Sequence, residues 1–211
     1  MEKYDIYLFD FDGTLFNSFN SLYYVFKNAY GAVGVEIEEK DVPWLSRVPL
    51  EESYRFYNAP YDEEHIDIFA KALHAGLDDP NILAKTEMFP DTEEFFKLAK
   101  ENNLFLGVVT SNKEKHIYEV LDFFLIPHNV FKVVVGNEKA PKTKPDPMPV
   151  IKSLEEIGYK GPLDKVVYIG DSFNDCLSAK NAGVKYYLID RKNEYNGDEF
   201  PVIHSLLEIF K

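Results

Sequence analysis

Phe9-Asp10-Phe11-Asp12-Gly13-Thr14-Leu15 is the stretch that decides the fold of this chain. It follows Tyr4-Asp5-Ile6-Tyr7-Leu8, which is largely apolar and typical of a short buried strand. Two carboxylates one residue apart therefore lie just past the C-terminal end of a strand, where Gly13 and Thr14 turn the chain. In an open parallel α/β sheet, ligands bind outside the carboxyl ends of the strands.

The carboxylates of Asp10 and Asp12 favour metal and phosphate chemistry. Carboxylates this close repel one another unless a cation or a shared proton relieves them, and Mg²⁺ bound by oxygen does so. One aspartate can then attack phosphorus, while the other, when protonated, donates to the leaving oxygen. The structural alternatives are a plain turn rich in Asp and Gly, and a calcium loop. Phe16, Asn17 and Ser18 do not supply the further ligands that a calcium loop needs.

The composition indicates an acidic globular protein. The 211 residues are 45% hydrophobic and 28% charged, which suits one domain or a domain with an insertion. The net charge of −13 argues against nucleic acid and anionic membrane surfaces as partners. Cys176 is the single cysteine, so an intrachain disulfide is impossible and a reducing compartment fits. The N-terminus lacks a signal-like apolar stretch and no run could span a bilayer, so we expect a cytoplasmic protein.

A helical insertion is predicted after the first strand. Residues 20–32 carry apolar side chains at helical spacing, and residues 38–75 look like further helices broken by prolines. Arg47 in this insertion is a candidate for gripping a substrate carboxylate or phosphate. A surface ion pair with Glu51 or Glu52 is the alternative interpretation of Arg47, and the one that we favour.

The remainder of the chain alternates helices and strands, which is typical of a parallel sheet flanked by helices. The predicted strands are residues 104–109, 131–135, 166–169 and 186–189, and the predicted helices are residues 92–102, 113–123, 148–157 and 206–210. The fold class is therefore α/β, with a Rossmann-like parallel sheet and an inserted helical segment.

Polar side chains follow the strand at residues 104–109. Thr110 lies at the strand tip, where its hydroxyl and the following N–H groups can hold an anion. Thr110, Ser111 and Asn112 are therefore candidate substrate-binding residues. Ser111 and Glu114 match a capping box for the next helix, which gives Ser111 a structural role as well.

Three lysines occupy the proline-rich loop at residues 139–147, which reverses the charge of an acidic chain locally. Lys139 and Lys142 are interpreted as solvated side chains. Lys144 is the candidate functional cation, because Pro145 biases its backbone toward an extended conformation and so helps to fix its direction.

Two further carboxylates follow the strand at residues 166–169. Asp171 comes at its C-terminal end, and Asp175 follows by one helical turn, so both can face the same place. Ser172 and Asp175 match a capping box, which accounts for Asp175 structurally but leaves Asp171 unexplained.

These strand ends resemble the haloacid dehalogenase superfamily. Its motifs are matched by D-x-D-G-T at residues 10–14, a strand ending in Thr110, a lysine at Lys144, and G-D-S-x-x-D at residues 170–175. The match covers nearly all of the chain, and the insertion is similar to the helical cap of the phosphoglycolate phosphatase and β-phosphoglucomutase branch. The resemblance implies a core domain of residues 1–16 and 86–211 and a cap domain of residues 17–85.

The resemblance also implies a two-step mechanism. Asp10 attacks phosphorus to form an aspartyl-phosphate, and Asp12 protonates the leaving alcohol and then deprotonates the attacking water. Thr110 and Lys144 bind the phosphoryl oxygens. An acid at position 12 separates phosphatases from the dehalogenases that name the superfamily.

The implied cofactor is Mg²⁺. Its implied ligands are Asp10, the backbone carbonyl of Asp12, and Asp171. Asp175 either supports the metal's outer shell or orients Lys144.

Three residues depart from the family pattern. Asn17 stands where relatives often carry Asp, and Arg47 where many carry Gly. Asp91 replaces the Gly that usually follows Pro90. None lies in the core motifs, so the departures bear on the substrate rather than on the chemistry.

We therefore expect a Mg²⁺-dependent phosphoric monoester hydrolase, similar to phosphoglycolate phosphatase, that acts on a small phosphorylated metabolite as a monomer or homodimer. The alternative is a phosphomutase of the β-phosphoglucomutase type, in which a sugar hydroxyl rather than water takes the phosphoryl group from Asp10. A non-catalytic binding protein on this fold is a third reading, disfavoured because all the chemical positions are intact.

Overall fold

The structure, a computed structural model, describes residues 3–46 and 48–210 and has the α/β fold that the sequence predicts. In chain order the strands are β1 Ile6–Phe9, β2 Phe16–Asn17, β3 Glu87–Met88, β4 Leu106–Val109, β5 Val133–Val135, β6 Val166–Gly170, β7 Lys185–Ile189 and β8 Val202–Ile203. The α-helices are α1 Phe19–Gly31, α2 Val42–Leu45, α3 Leu50–Arg55, α4 Glu63–Leu77, α5 Pro80–Leu83, α6 Pro90–Glu101, α7 Glu114–Phe123, α8 Met148–Glu156 and α9 Phe173–Ala182.

Strand β1 lies inside a six-stranded sheet whose order is β5-β4-β1-β6-β7-β8, and the paired strands are parallel. Phe9 of β1 pairs with Val108 of β4 on one side and with Ile169 of β6 on the other. The residues that follow β1, β4 and β6 therefore emerge at the same edge of the sheet. That edge is where an open α/β sheet binds its ligands.

Strands β1, β4, β5 and β6 are buried along their whole length, as the near-continuous apolar runs of parallel strands require. Leu8 and Phe9 are fully buried, and the ring of Phe9 meets that of Phe95 on α6 edge-on at 5.2 Å between centroids. At Gly107 an added Cβ would lie 2.6 Å from a methyl carbon of Val133 and 2.8 Å from one of Leu8. Glycine is thus needed at position 107 so that β4 can approach its neighbours.

The chain divides into two compact units, each with its own apolar interior. The core unit comprises Met1–Phe16 and Met88–Lys211, and the helical unit comprises Asn17–Glu87. In the helical unit α1 packs against α4, and the rings of Tyr30 and Tyr54 both pack against Phe69. Among the described residues, none of the helices has the length and apolar character needed to cross a bilayer.

Two details of the sequence interpretation change. The capping box predicted at Ser111 and Glu114 is wrong: α7 begins at Glu114, its N-cap is Lys113, and the N–H of Glu114 donates instead to Glu138 Oε1 at 2.9 Å. The hydroxyl of Thr110 accepts the N–H of Asn112 at 3.0 Å and so closes a turn that leaves Ser111 two positions before the cap. Strands β2, β3 and β8 were not predicted, because two residues carry too short a pattern.

Replacement of Leu8 by alanine tests the packing of β1. We expect the free energy of unfolding to fall by about 2–5 kcal/mol, because the cavity would lie in the middle of the sheet with little room to collapse. Chemical denaturation measures the change. Leu125→Ala is the control, since Leu125 is 90% exposed; equal losses in the two variants would contradict the assigned packing.

Candidate active site

Lys144 and Asp10 form a buried ion pair at the carboxyl edge of the sheet. Asp10 directly follows β1, and its N–H donates to the carbonyl of Ile169 at 2.9 Å, which ties the start of the loop to β6. The Lys144 ammonium lies 2.8 Å from Asp10 Oδ1. Only 6% of the lysine side chain and 11% of the aspartate side chain are exposed, so the pair is largely removed from water. An ion pair in such surroundings is weakly screened.

The Lys144 ammonium has acceptors on three neighbouring elements. Besides Asp10 it donates to Asp175 Oδ1 at 2.6 Å, to the hydroxyl of Tyr168 at 3.3 Å and to the carbonyl of Val109 at 3.5 Å. These contacts join a loop residue to the end of β4, the middle of β6 and the first turn of α9. The direction of the lysine side chain is therefore fixed by these hydrogen bonds.

The protonation of the ion pair follows from burial and charge together. Burial raises the pKa of Asp10 well above its usual value, and Lys144 opposes that rise, while Asp175 and Asp171 add to it. Burial by itself would lower the pKa of Lys144, but the carboxylates of Asp10 and Asp175 outweigh it, so its pKa is raised well above the usual value. Lys144 is thus held as a cation.

Asp175 has hydrogen-bond partners for both carboxylate oxygens. Its Oδ1 faces Lys144, and its Oδ2 accepts from the N–H of Ser172 at 3.0 Å and from the Ser172 hydroxyl at 2.5 Å. The Ser172 hydroxyl in turn accepts the N–H of Asp175, which completes the capping box of α9. The capping box predicted from the sequence is confirmed, and it also presents a carboxylate to the lysine.

Three carboxylates converge where a cation could sit. One oxygen from each of Asp10, Asp171 and Asp175 lies within 4.8 Å of the others. Gly13 permits the approach of Asp171: its φ is +85°, and an added Cβ would lie 2.5 Å from Asp171 Oδ2. An all-oxygen, multiply negative donor set suits a hard divalent cation such as Mg²⁺.

Asp12 lies against α7 and the turn that precedes it. The side-chain amide of Asn112 donates to Asp12 Oδ2 at 2.7 Å, and His116 Nε2 lies 3.7 Å from Asp12 Oδ1. Burial opposes protonation of His116, but the negative charge of Asp12 close by outweighs burial and raises the pKa of the imidazole. The side chain beside the predicted proton donor is therefore more basic than an ordinary histidine.

The remaining sequence candidates differ in their surroundings. Thr110 is buried at the end of β4, where its N–H donates to the carbonyl of Val135 at 3.0 Å. Ser111 is exposed, and its carbonyl accepts from the Asn137 side chain at 2.9 Å. Arg47, the candidate in the helical unit, lies outside the described residues.

Two side chains in the site were not identified from the sequence. Tyr168 is fully buried on β6, and its hydroxyl donates to the Val109 carbonyl at 2.9 Å and lies 3.2 Å from Asp175 Oδ1. A tyrosine inside an otherwise aliphatic strand was the available signal, because a buried hydroxyl needs a partner. His116 gave no such signal, since its contact with Asp12 depends on how α7 meets the loop after β1.

The fold and the clustered groups define a class of enzyme. A Rossmann-like sheet that carries carboxylates and a buried lysine at its carboxyl edge belongs to the haloacid dehalogenase-like hydrolases. The family model described as "Haloacid dehalogenase-like hydrolase" matches residues 7–189, and the chain belongs to that family.

Comparison with known proteins gives the same class. The chain is 29% identical to the pyrophosphatase PpaX of Halalkalibacterium halodurans, over 84% of this chain and 80% of that protein. It is 25% identical to the phosphoglycolate phosphatase of Pasteurella multocida, over 99% and 100% of the two chains. A haloacid dehalogenase-like family hydrolase from Streptococcus pneumoniae superposes with a TM-score of 0.81 at 19% identity, covering 100% of this chain and 98% of its own. The chain is thus an enzyme of this hydrolase family, of the phosphatase type.

The thiol of Cys176 provides a check on the burial of α9. Burial, reinforced by Asp175 and Asp171, raises the pKa of Cys176 to about 12, so the reactive thiolate is scarce at pH 8. We expect no reaction of the native protein with a disulfide reagent such as DTNB at pH 8, and one thiol per chain after denaturation. Stoichiometric labelling of the native protein within minutes would contradict this arrangement.

Proposed function

We propose that the protein is a Mg²⁺-dependent phosphatase that hydrolyses a small phosphorylated metabolite through an aspartyl-phosphate on Asp10. The observation that carries the proposal is the buried ammonium of Lys144, bonded to Asp10 and Asp175 and next to the three-carboxylate cluster. A phosphate group entering here meets one fixed positive charge beside one candidate nucleophile. Positioning and charge neutralisation are the main requirements of phosphoryl transfer.

The nucleophile is Asp10. One of its carboxylate oxygens attacks phosphorus in line, a new O–P bond forms, and the bond from phosphorus to the leaving alkoxide oxygen breaks. Lys144 balances the negative charge of the phosphoryl oxygens. The Thr110 hydroxyl, which is buried at the end of the neighbouring strand, donates a hydrogen bond to one of these oxygens. Ser111 and Asn112 follow Thr110 and complete the candidate substrate contacts.

The proton donor is Asp12. Its carboxyl proton passes to the leaving alkoxide oxygen, which departs as an alcohol. In the second step the Asp12 carboxylate takes a proton from the water that attacks phosphorus, and inorganic phosphate leaves with Asp10 restored. The side-chain amide of Asn112, 2.7 Å from Asp12 Oδ2, holds the carboxyl in direction through both steps.

The metal site would be formed by Asp10, the backbone carbonyl of Asp12, and Asp171, with Asp175 behind them. When bound, Mg²⁺ supplies positive charge that offsets the repulsion between these carboxylates and the phosphate. The oxygen-only donor set supports magnesium over softer metals.

The substrate class is supported by the relatives, which are named for phosphoglycolate and pyrophosphate hydrolysis. Those names favour water over a sugar hydroxyl as the acceptor, so we propose a phosphatase rather than a phosphomutase. We propose residues 17–85 as the cap domain that selects the substrate, with Arg47 as a candidate contact. We also propose a cytoplasmic enzyme that acts as a monomer or homodimer.

Replacement of Asp10 by asparagine tests the nucleophile. We expect the rate of phosphate release to fall by at least roughly a thousandfold, because an amide cannot form the covalent intermediate. Release of inorganic phosphate from a panel of phosphorylated metabolites, assayed with Mg²⁺, measures the loss. Asp164→Asn, at an exposed position near the opposite end of β6, is the matched control and should keep full activity. A variant at position 10 with wild-type turnover would remove Asp10 from the mechanism.

The metal site has a readout that does not depend on turnover. Mg²⁺ at about 100 times its Kd should stabilise the wild-type protein by about 2.7 kcal/mol, which thermal melting with and without the ion detects. Asp171→Asn should lose most of this Mg²⁺-dependent shift, and Asp164→Asn should keep it. Chelation should also silence the wild-type enzyme reversibly. Full activity in excess chelator, or an equal shift in both variants, would count against this site.

A further inference from the structure

Arg191 joins the loop at residues 10–15, called here the catalytic loop, to the start of α6. It lies two residues beyond β7, and its side chain is 14% exposed. One guanidinium nitrogen donates to Asp91 Oδ1 at 2.8 Å and another donates to the carbonyl of Thr14 at 2.6 Å. The guanidinium carbon lies 3.9 Å from the centroid of the Phe89 ring, which covers its face. The guanidinium is thus held at its edge by two hydrogen bonds and on its face by the Phe89 ring.

Thr14 belongs to the turn that carries Asp12. Three hydrogen bonds close this turn internally: the N–H of Gly13 donates to the Phe16 carbonyl at 2.7 Å, and the N–H groups of Leu15 and Phe16 donate to the Phe11 carbonyl at 2.9 and 3.1 Å. From outside the turn, the Arg191 guanidinium donates a hydrogen bond to the carbonyl of Thr14. Because the turn is this tight, a change at the Thr14 carbonyl must alter the backbone that orients Asp12.

The turn has a second external anchor, also at the start of α6. The Thr92 hydroxyl donates to the carbonyl of Leu15 at 2.8 Å, so two successive carbonyls of the loop are held from outside. Thr92 reaches the loop directly. Asp91, its neighbour, acts through Arg191.

Asp91 is itself fixed by the C-terminal segment. Its Oδ2 accepts from the Ser205 hydroxyl and from the N–H of Leu206, each at 2.8 Å, while Oδ1 accepts from Arg191. Asp91 is thus held by the C-terminal segment, and through Arg191 it reaches the carbonyl of Thr14.

The energetics argue that this pair does more than stabilise the fold. Burying an ion pair costs desolvation energy that its attraction does not reliably recover. In addition, the Arg191 Nε is buried and has no hydrogen-bond partner within the part of the chain that the structure describes. A buried donor left unsatisfied is a cost that a packed apolar pair would not carry. The planar guanidinium does fix the angle between its two acceptors, the Asp91 carboxylate and the Thr14 carbonyl.

We propose that Arg191, held by Asp91, is a positioning residue that fixes the turn at residues 10–15 so that the Asp12 carboxyl meets the leaving-group oxygen. The inference rests on the proposed phosphatase function, in which Asp12 is the proton donor. Arg191 itself touches neither phosphate nor metal in this role. It acts through the Thr14 carbonyl.

This role predicts a dependence on the leaving group. An alkoxide needs the proton of Asp12, whereas dinitrophenolate leaves readily without one. Arg191→Met should therefore lower kcat/KM, which reports the transfer of the phosphoryl group to Asp10, on the order of tenfold or more for β-glycerophosphate and much less for 2,4-dinitrophenyl phosphate. A loss of stability alone would lower both rates by the same factor. Arg191→Lys should be intermediate, because an ammonium can reach one acceptor but cannot reproduce the fork.

The experiment compares these two kcat/KM values in wild type, Arg191→Met, Arg191→Lys and Asp91→Asn, all in the full chain with Mg²⁺. Lys132→Met is the control, an exposed lysine beside the N-terminal end of β5 whose ratio of rates should not change. Asp91→Asn keeps the size of the side chain but removes its charge, so it tests the same ion pair if Arg191→Met folds poorly. Hydrogen exchange at the Gly13 and Leu15 amides should be faster in the Arg191 and Asp91 variants, while exchange in β4 and β6 stays at the wild-type rate.

The outcomes separate the two proposals. A wild-type protein that hydrolyses neither ester, or an Asp10→Asn variant as active as wild type, would overturn the proposed function and this inference with it. An active wild type with a silent Asp10→Asn variant, but an unchanged ratio of rates and unchanged exchange in the Arg191 and Asp91 variants, would overturn the positioning role alone.

Discussion

The ammonium of Lys144, held between the carboxylates of Asp10 and Asp175, is the interaction on which the site depends. With Asp171 close by, this edge of the sheet gathers several negative charges that would otherwise repel one another and any phosphate. A buried cation with carboxylates on two sides lowers that repulsion and fixes the direction of both carboxylates. Removal of one partner from such a buried pair leaves an uncompensated buried charge, so the loss of any one of these side chains should destabilise the arrangement of the others.

The parallel sheet supplies the geometry that makes this interaction possible. Its register brings the ends of β4, β1 and β6 to one edge, so residues far apart in the chain become neighbours. Gly107 lets the strands approach, and Gly13 lets the loop after β1 pass close to Asp171. The site is therefore a consequence of strand pairing, with the loops contributing the side chains.

The sequence predicted the parts of the site that are encoded locally. Asp10, Asp12, Asp171 and Asp175 follow apolar strands, and a strand end is visible in the sequence as a change from apolar to polar residues. The capping box at Ser172 is confirmed because its members are three residues apart. The capping box at Ser111 is wrong because the Thr110 turn, a competing local hydrogen bond, moves the start of the helix.

The contacts that the sequence could not predict are those between distant elements. Tyr168 meets Val109 across 59 residues, Asn112 meets Asp12 across 100, and Arg191 meets Thr14 across 177. Each depends on which strands are neighbours and on how a helix begins, and a single sequence contains no pattern for either. These side chains lie around the groups that the motifs mark.

The most direct measurement is mass spectrometry of acid-quenched enzyme after brief mixing with 2,4-dinitrophenyl phosphate and Mg²⁺. The account predicts a phosphoryl group on the peptide that contains Asp10, removed by hydroxylamine as an acyl phosphate is, and absent from Asp10→Asn. Phosphate release at full rate with no phosphorylated peptide at any quench time, or with the phosphoryl group on another residue, would contradict it.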